Sequence, residues 1–388
     1  MTAPVLAPHA VSLAERGRRA AAVADAAADD VDACARFPHE AIDALRAEGL
    51  LGFAVPVSHG GEGAGLREVA GVIEQLGRAC GATATIFAMH QIQVACLAQH
   101  PRTPALDRFL ERVATEGLLV ASATTERGKG GDVRSSTCAV ERTGRGFRLV
   151  KQAPVISFGE YADAVFATAR RTPESPDNDQ VLVLCTPPGL LLEPTSTWDT
   201  LGYRGSCSRG FVLHAEGDAE LVQPASYALV AGRTMVPVTH ILWGAAWVGL
   251  ASAAAAKARR FVQDQARKQP GALPPAAVHL AELTGVLQQL RALVGEALRL
   301  WDSAEQAPEL FDAYTTTIAL NALKVAGSAL VLDVVTRALL VVGMAGYAQG
   351  TPFSLGRLLR DAHGAALMLS NDRLTQTNAA LLMATRGD

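Results

Sequence analysis

The chain of 388 residues lacks the features that mark several protein classes. Its six cysteines stand singly, without a C-x-x-C pair or a matching histidine spacing, so the sequence predicts neither a disulfide framework nor a metal site. A net charge of −3 provides no basic surface of the kind that binds nucleic acid. The first residues contain no apolar run typical of a signal peptide, and the longest apolar stretch, 241–256, is too short for a membrane span. We therefore expect a soluble, cytoplasmic protein without nucleic-acid partners.

The periodicity of apolar residues divides the chain into three parts. Residues 1–117 show mainly helical spacing, and residues 118–225 contain short β-prone runs separated by turns. From residue 226 to the end, helical spacing returns in long segments. We predict an α+β protein with an N-terminal helical domain, a central domain built as an antiparallel β-sheet or β-barrel, and a C-terminal antiparallel four-helix bundle.

The predicted helices account for most of the two helical domains. In the N-terminal domain they span 11–30, 38–50, 66–76 and 83–97. In the C-terminal domain they span 235–265, 278–303, 308–343 and 355–383.

A glycine-rich segment, Thr124–Asp132, lies near the start of the β domain and reads TTERGKGGD. Its glycines allow positive φ angles and a close approach of the backbone to a ligand. The segment matches neither a phosphate-binding P-loop nor the dinucleotide fingerprint. Taken alone, it is typical of a turn.

Four motifs, in the same order along the chain, resemble those of the acyl-CoA dehydrogenase family. TERGKGGD (125–132) resembles the family's T-E-P-G-x-G-S-D, and FAVPVSHGGEGAG (53–65) resembles its x-x-P-x-x-Y-G-G-x-G loop. WDTLGYRGSCS (198–208) is similar to W-x-x-L-G-x-R-x-S-x-S. Residues 341–362 are similar to a bundle motif that ends in R-x-x-R-D-A. The resemblance covers nearly the whole chain and implies a dehydrogenase-like fold.

The resemblance also implies that FAD is the cofactor, held partly by the β domain. Ser157 stands where the family often has a threonine beside flavin N5, and Val155 replaces the usual tryptophan. The implied flavin contacts in this domain are Ala123, Thr124, Thr125, Gly131, Val155, Ile156 and Ser157.

The family shares its FAD site between subunits, which implies a homodimer or homotetramer. Two motifs serve that interface, and both are altered in this chain. Arg267 fits the first motif, whereas in the second Gly343 fits but Leu340 and Met344 replace a glutamine and a glycine. Asn371 is a further expected cofactor contact.

The catalytic carboxylate of the family is missing from its expected position. Counting from Asp361 places that glutamate at Leu369, and the alternative family position falls at Thr239, where a carboxylate is also lacking. Asp372 follows one turn later and is one candidate base, because residues i and i+3 share a helix face. His90, His240 and His363 are the candidates for proton transfer in a flavin monooxygenase of the same fold.

The expected function is that of an FAD-dependent oxidoreductase that dehydrogenates an acyl thioester between its α and β carbons. The acyl group is carried by CoA or by an acyl-carrier protein, and electrons pass to an electron-transfer flavoprotein or to oxygen. Two alternatives remain open. One is a flavin-dependent monooxygenase on the same fold, and the other is a flavoprotein that has lost the redox step.

Overall fold

The computed structural model describes residues 11–129 and 132–384. Gly131, one of the expected flavin contacts, lies outside the described residues. Five α-helices form the N-terminal part: α1 (Leu13–Ala33), α2 (His39–Ala47), α3 (Leu66–Ala79), α4 (Gly81–Ala98) and α5 (Pro104–Glu116).

Helix α5 is absent from the sequence-based prediction, although its ends carry recognisable signals. The Thr103 side chain accepts a hydrogen bond from the Leu106 amide at 3.2 Å, and Pro104 occupies the first turn. Gly117 ends the helix with a φ of 64°. Helix α4 is buried on almost every side, because nearly all of its side chains are apolar or small.

The central domain contains two separate sheets. Its strands are β1 (Val120–Ala123), β2 (Glu141–Thr143), β3 (Gly146–Ala153), β4 (Ala164–Arg170), β5 (Gln180–Cys185), β6 (Leu190–Pro194) and β7 (Phe211–Asp218). One sheet has the order β1-β4-β5 and the other the order β2-β3-β7-β6.

The predicted barrel is wrong, because the two sheets do not close on each other. Within the sheets most pairs are antiparallel, as predicted, but β1 runs parallel to β4, with Ala121 opposite Val165. The chain between β1 and β4 passes through the second sheet, and this excursion permits the parallel pairing.

Three long helices dominate the C-terminal part: α7 (Val236–Lys268), α8 (Ala276–Gln306) and α9 (Tyr314–Val342). The short helix α6 (Tyr227–Val230) and a π-helical turn, Ala231–Met235, lead into α7. The short helix α10 (Met344–Tyr347) follows α9. The predicted last helix, 355–383, is divided into α11 (Gly356–Gly364) and α12 (Asn371–Ala384). Helices α11 and α12 pack on α9, and α3 of the N-terminal part packs along α7.

Two stretches, Tyr227–Lys268 and Tyr314–Val342, are long and apolar enough to cross a membrane by length and composition. In their apolar windows, 83% and 44% of the residues are buried inside the fold. Core helices of a packed bundle have the same length and composition, so these properties are weak indications of a membrane span.

Candidate functional site

A cavity of about 720 Å³ lies where the three parts of the chain meet. It is lined by one face of α4, the residues after β1, the loop 198–208, the start of α7 and the connection from α11 to α12. Its volume is in the range of pockets that hold cofactors and small ligands. Of the sequence-predicted site residues, the cavity brings together Thr124, Thr125, Val155, Ser157, His240 and His363.

The β-domain side of the cavity carries three linked serines, which we call the hydroxyl wall: Ser157, Ser206 and Ser208. Ser208 Oγ donates to Ser157 Oγ at 2.8 Å, and Ser206 Oγ lies 2.8 Å from Ser208 Oγ. Because Ser157 accepts the bond from Ser208, its own hydrogen is available to donate into the cavity. Ser206 and Ser208 lie in the tryptophan motif of residues 198–208, although the sequence analysis did not single them out.

The glycine-rich segment is attached to the hydroxyl wall through Thr125. Thr125 Oγ1 donates to the carbonyl oxygen of Val155 at 3.2 Å. Ala123 and Ile156, two further expected contacts, are buried beside this attachment but do not line the cavity.

A buried ion pair anchors the glycine-rich segment to strand β3. Lys151 Nζ donates to Glu126 Oε2 at 3.1 Å, and Glu126 also accepts from the Cys138 amide at 2.9 Å and Ser136 Oγ at 2.5 Å. Burial alone would raise the pKa of Glu126, but the charge of Lys151 and the hydrogen bonds outweigh it and lower the pKa to about 2. The carboxylate therefore remains ionised and holds the segment in place.

The loop 198–208 is fixed against α11 by backbone contacts. Asp361 Oδ1 accepts from the Tyr203 amide at 2.6 Å, and Arg360 Nε donates to the carbonyl of Leu201 at 3.0 Å. A Cβ on Gly202 would lie 2.3 Å from the Arg360 carbonyl oxygen, so only glycine fits there. The R-D-A motif thus positions the cavity wall, and burial raises the pKa of Asp361 to about 6.

The helical side of the cavity carries three polar residues, which we call the helical wall: Gln93, His240 and Trp243. His240 Nδ1 donates to the carbonyl of Leu320 at 3.0 Å, which leaves Nε2 with its lone pair. Within the described chain, this buried Nε2 has no hydrogen-bond partner. Burial and then the charge of Lys324 lower the pKa of His240 to about 3, so the ring is neutral at pH 7.

Gln93 and Trp243 also present polar atoms without partners. Neither Gln93 Oε1 nor Trp243 Nε1 has a hydrogen-bond partner among the described residues, and both side chains line the cavity. The sequence analysis missed both residues. The available signal was weak, since each is one polar group within a largely apolar helical stretch.

Leu369, at the position of the missing glutamate, lines the cavity with a left-handed φ of 69°. Lys324 Nζ donates to the Leu369 carbonyl and to Asn371 Oδ1, the latter at 2.7 Å. Burial lowers the pKa of Lys324 to about 8. Asn371 therefore contributes to this local anchor and does not line the cavity.

Two proposed proton-transfer residues lie outside the cavity. Asp372 is exposed and does not line the cavity. His90 Nε2 donates to the Leu51 carbonyl at 2.8 Å, while its Nδ1 accepts from the Val120 amide at 3.1 Å. Both nitrogens of His90 are thus used in backbone contacts, and burial lowers its pKa to about 4. His363 lines the cavity but is exposed.

The residues expected at a subunit interface do not line the cavity. Leu340 and Met344 are each 76% exposed, and Gly343 lies between α9 and α10. Arg267 pairs with Asp264 near the end of α7, about 40 Å along the helix from His240.

The donor set and shape of the cavity fit a flavin ring. The hydroxyl wall and the polar groups of Thr124 and Thr125 can bond the polar edge of the ring. Apolar side chains such as Met89, Trp198 and Leu367 offer surfaces for its flat faces. Among the described lining residues there is no carboxylate.

Comparisons with known proteins match this arrangement. The model of the "acyl-CoA dehydrogenase, N-terminal domain" matches residues 12–117, and that of the "acyl-CoA dehydrogenase, C-terminal domain" matches residues 231–369. Cyclohex-1-ene-1-carbonyl-CoA dehydrogenase of Geobacter metallireducens is 28% identical over 363 residues, which cover 91% of this chain and 92% of that protein.

Two solved structures share the fold. Butyryl-CoA dehydrogenase from Megasphaera elsdenii superposes with a TM-score of 0.77 at 18% identity, covering 97% of this chain and 100% of that one. Dibenzothiophene monooxygenase (TdsC) from Paenibacillus sp. A11-2 superposes with a TM-score of 0.81 at 17% identity, covering 97% and 98%. TdsC has also been solved with FMN bound.

Proposed function

Because this chain belongs to the acyl-CoA dehydrogenase family, whose cofactor is FAD, we propose that it dehydrogenates an acyl thioester between the α and β carbons. It is a flavoenzyme of this fold. The observation that carries the proposed reaction is the place of His240. It lines a cavity whose described lining has no carboxylate, and its buried Nε2 has no partner among the described residues.

His240 takes the α-proton in this proposal, while bound FAD supplies the hydride acceptor. The ring is neutral at working pH, so Nε2 is ready to accept. Its low pKa makes it a weak base. The bond from Nδ1 to the Leu320 carbonyl favours the protonated ring and offsets part of this weakness. Ser157 donates to the flavin from the hydroxyl wall.

We propose a CoA thioester as the first substrate to examine, with the carrier-protein thioester as the alternative. The name of the Geobacter relative, a carbonyl-CoA dehydrogenase, supports CoA. The electron acceptor is proposed to be an electron-transfer flavoprotein or oxygen. The exposed Leu340 and Met344 support a homodimer or homotetramer in which a second subunit covers the end of α9.

Anaerobic mixing of the FAD-loaded protein with acyl-CoA thioesters tests the reaction. Loss of the visible absorbance of the oxidised flavin, together with an enoyl thioester product, is the expected result. Acyl-carrier-protein thioesters are mixed in parallel to decide the carrier. Persistent absorbance with every thioester, combined with full FAD loading, would contradict dehydrogenation.

A flavin-dependent monooxygenase is the second candidate, and the absence of a carboxylate among the described lining residues favours it. Oxygen chemistry at a flavin does not require a base placed at an α-carbon. The likeness to TdsC supports the fold only. The two candidates separate when NAD(P)H and a flavin reductase are supplied with ¹⁸O₂, because only the monooxygenase places labelled oxygen in the product.

A further inference from the structure

One face of α9 carries three buried polar residues, which we call the polar stripe: Asn321, Lys324 and Ser328. Their spacing of three and four residues places them on the same side of the helix. They are 2%, 0% and 2% exposed, and Lys324 is the only charged residue between positions 314 and 332. A charge buried in an apolar helix is costly unless it is well bonded, so the groups that bond Lys324 decide whether it can lie there.

The Lys324 ammonium bonds the connection between α11 and α12, residues 365–370, and the first residue of α12. Its Nζ donates to the carbonyl of Ala366 at 3.4 Å, to the carbonyl of Leu369, and to Asn371 Oδ1 at 2.7 Å. An ammonium group has three hydrogens, so these three acceptors can satisfy it. Among the described residues no carboxylate bonds Lys324, and neutral acceptors of this one segment surround its charge instead.

The same connection forms part of the cavity wall. Its residues 367–370 all line the cavity. Leu369 has a φ of 69°, a conformation that is unfavourable for a residue with a Cβ. The amides of Leu367 and Met368 both donate to the carbonyl of Gly364, at 3.0 Å each. The backbone of this turn therefore sets the shape of the wall, and the buried lysine holds two of its carbonyls.

This part of the wall belongs to the same region as the proposed base. After burial, the charge of Lys324 is the second cause that lowers the pKa of His240, so the ammonium lies within electrostatic range of the ring. Leu369 and His240 line one cavity, whereas Lys324 itself does not line it. The lysine thus acts on the cavity from behind its wall.

We infer that Lys324 is a positioning residue of the proposed reaction: it holds Leu369 and its neighbours as the wall that keeps the thioester next to His240. The inference rests on the proposed function and adds to it a residue outside the cavity lining. A displaced wall lowers the rate, because the reacting atoms must be held within a small distance of each other.

Lys324→Met tests the turn directly, because it removes the ammonium and keeps an unbranched side chain of similar length. Hydrogen–deuterium exchange of the FAD-loaded protein, followed by mass spectrometry, measures how often the turn opens. We expect the amides of Leu367 and Met368 to exchange about tenfold faster or more, since their bonds to Gly364 open more often. Unchanged exchange in this segment would overturn the inference.

Stopped-flow reduction of the flavin by acyl-CoA thioesters measures the consequence for the reaction. The maximal rate of Lys324→Met, expressed per bound FAD, should fall about tenfold or more. A variant that is only less stable would lose loaded protein and keep this rate. Lys324→Arg retains the charge and the donors, and should recover part of both the rate and the slow exchange. A full rate in Lys324→Met would overturn the inference.

Lys257→Met is the control for the loss of a lysine. Lys257 Nζ also donates to a backbone carbonyl of the C-terminal part, that of Ser354 at 2.8 Å, but neither residue lines the cavity. This variant should retain slow exchange at 367–368 and the full rate.

Asn321→Leu is the control for weaker packing between α9 and α12. Asn321 Nδ2 donates to Asn378 Oδ1 on α12 at 2.8 Å, and neither residue lines the cavity. The maximal rate should again be retained. If Asn321→Leu loses the rate as Lys324→Met does, general loss of packing is the cause and the inference is overturned.

The outcomes separate this inference from the proposed reaction. If no thioester reduces the flavin of the natural protein, dehydrogenation fails, and thioester dissociation constants from the change in flavin absorbance decide the inference. Binding that is about tenfold weaker in Lys324→Met would then support it, because the wall contacts the bound thioester. Equal binding by this variant and the natural protein would overturn it.

Discussion

On the hydroxyl wall, Ser157, Ser206 and Ser208 bond one another, whereas on the helical wall the described chain leaves polar atoms of all three residues unpartnered. The first arrangement fixes donors in place before any ligand arrives. The second arrangement leaves buried polar atoms unpaired, and a ligand that bonded them would remove their desolvation penalty. The contrast agrees with our proposal, in which the β domain positions the cofactor and the helices carry the proton-transfer residue.

The largest effect on this contrast is expected from His240→Asn. Asparagine can retain the donor to the Leu320 carbonyl while the Nε2 acceptor is lost. Flavin reduction by the best thioester should slow about 10²- to 10⁴-fold, the usual contribution of a general base. Stopped-flow absorbance measures the rate. If His363→Asn slows reduction by that factor and His240→Asn does not, the base is assigned to the wrong histidine.

Lys151→Met breaks the buried ion pair that holds the glycine-rich segment next to the hydroxyl wall. This change leaves the Glu126 carboxylate buried without its cation, which should lower the free energy of unfolding by about 3–5 kcal/mol. Urea unfolding measures the change. The double variant Glu126→Gln/Lys151→Met serves as the control and should recover part of the loss. A single variant as stable as the natural protein would show that the pair is not needed.

The contributions of His240 and Glu126 to the stability of the fold should be lost in different pH ranges. The pKa of His240 is about 3 in the folded chain against 6.5 ordinarily, so the folded state binds fewer protons between these values. Its contribution is complete above pH 6.5 and is lost as the pH falls towards 3. For Glu126 the values are about 2 and 4.5, so its contribution is complete above pH 4.5 and is lost towards pH 2.

Unfolding by urea at a series of pH values tests this separation. His240→Asn should reduce the slope of stability between pH 6.5 and 3, where His90 contributes as well. The Glu126→Gln/Lys151→Met variant should change the slope only below about pH 4.5. Identical pH profiles for both variants would remove the distinction between the two sides.

The smallest effect is expected from Ser208→Ala, which removes the middle member of the hydroxyl wall. Ser157 then loses its donor, and FAD should bind about fivefold more weakly, as expected for one hydrogen bond of about 1 kcal/mol. Fluorescence titration of the FAD-free protein measures the affinity. Ser303→Ala, an exposed serine on α8, is the matched control. Equal affinities of the two variants would show that the serine chain does not position the cofactor.

The sequence predicted the order of helices and strands well, because the periodicity of apolar residues is a local property. Closure of the sheets was not predictable in this way, since it depends on which distant strands pair. The division of the last helix has a similar cause. Lys324, far away in sequence on α9, donates to the carbonyls of Ala366 and Leu369 in the connection between α11 and α12, a contact that local periodicity does not reveal.

The candidate site was likewise predicted only in part, because the direction of a side chain depends on distant contacts. Thr125, Ser157 and His240, which the motifs singled out, line one cavity, and their roles there stay predictions. The same reasoning did not separate Met89, which lines the cavity, from His90, which does not. Neighbouring residues on a helix point about 100° apart, so side-chain direction requires knowledge of how α4 packs.

Helix α4 has a void on each side. Met89 and Gln93 line the cavity of about 720 Å³, and Gln91 and Ala95 line the one of about 250 Å³. Helix α4 is therefore a partition shared by the two cavities. The bonds of His90 to the Leu51 carbonyl and the Val120 amide anchor it, so the position of this one helix sets the boundary of both cavities.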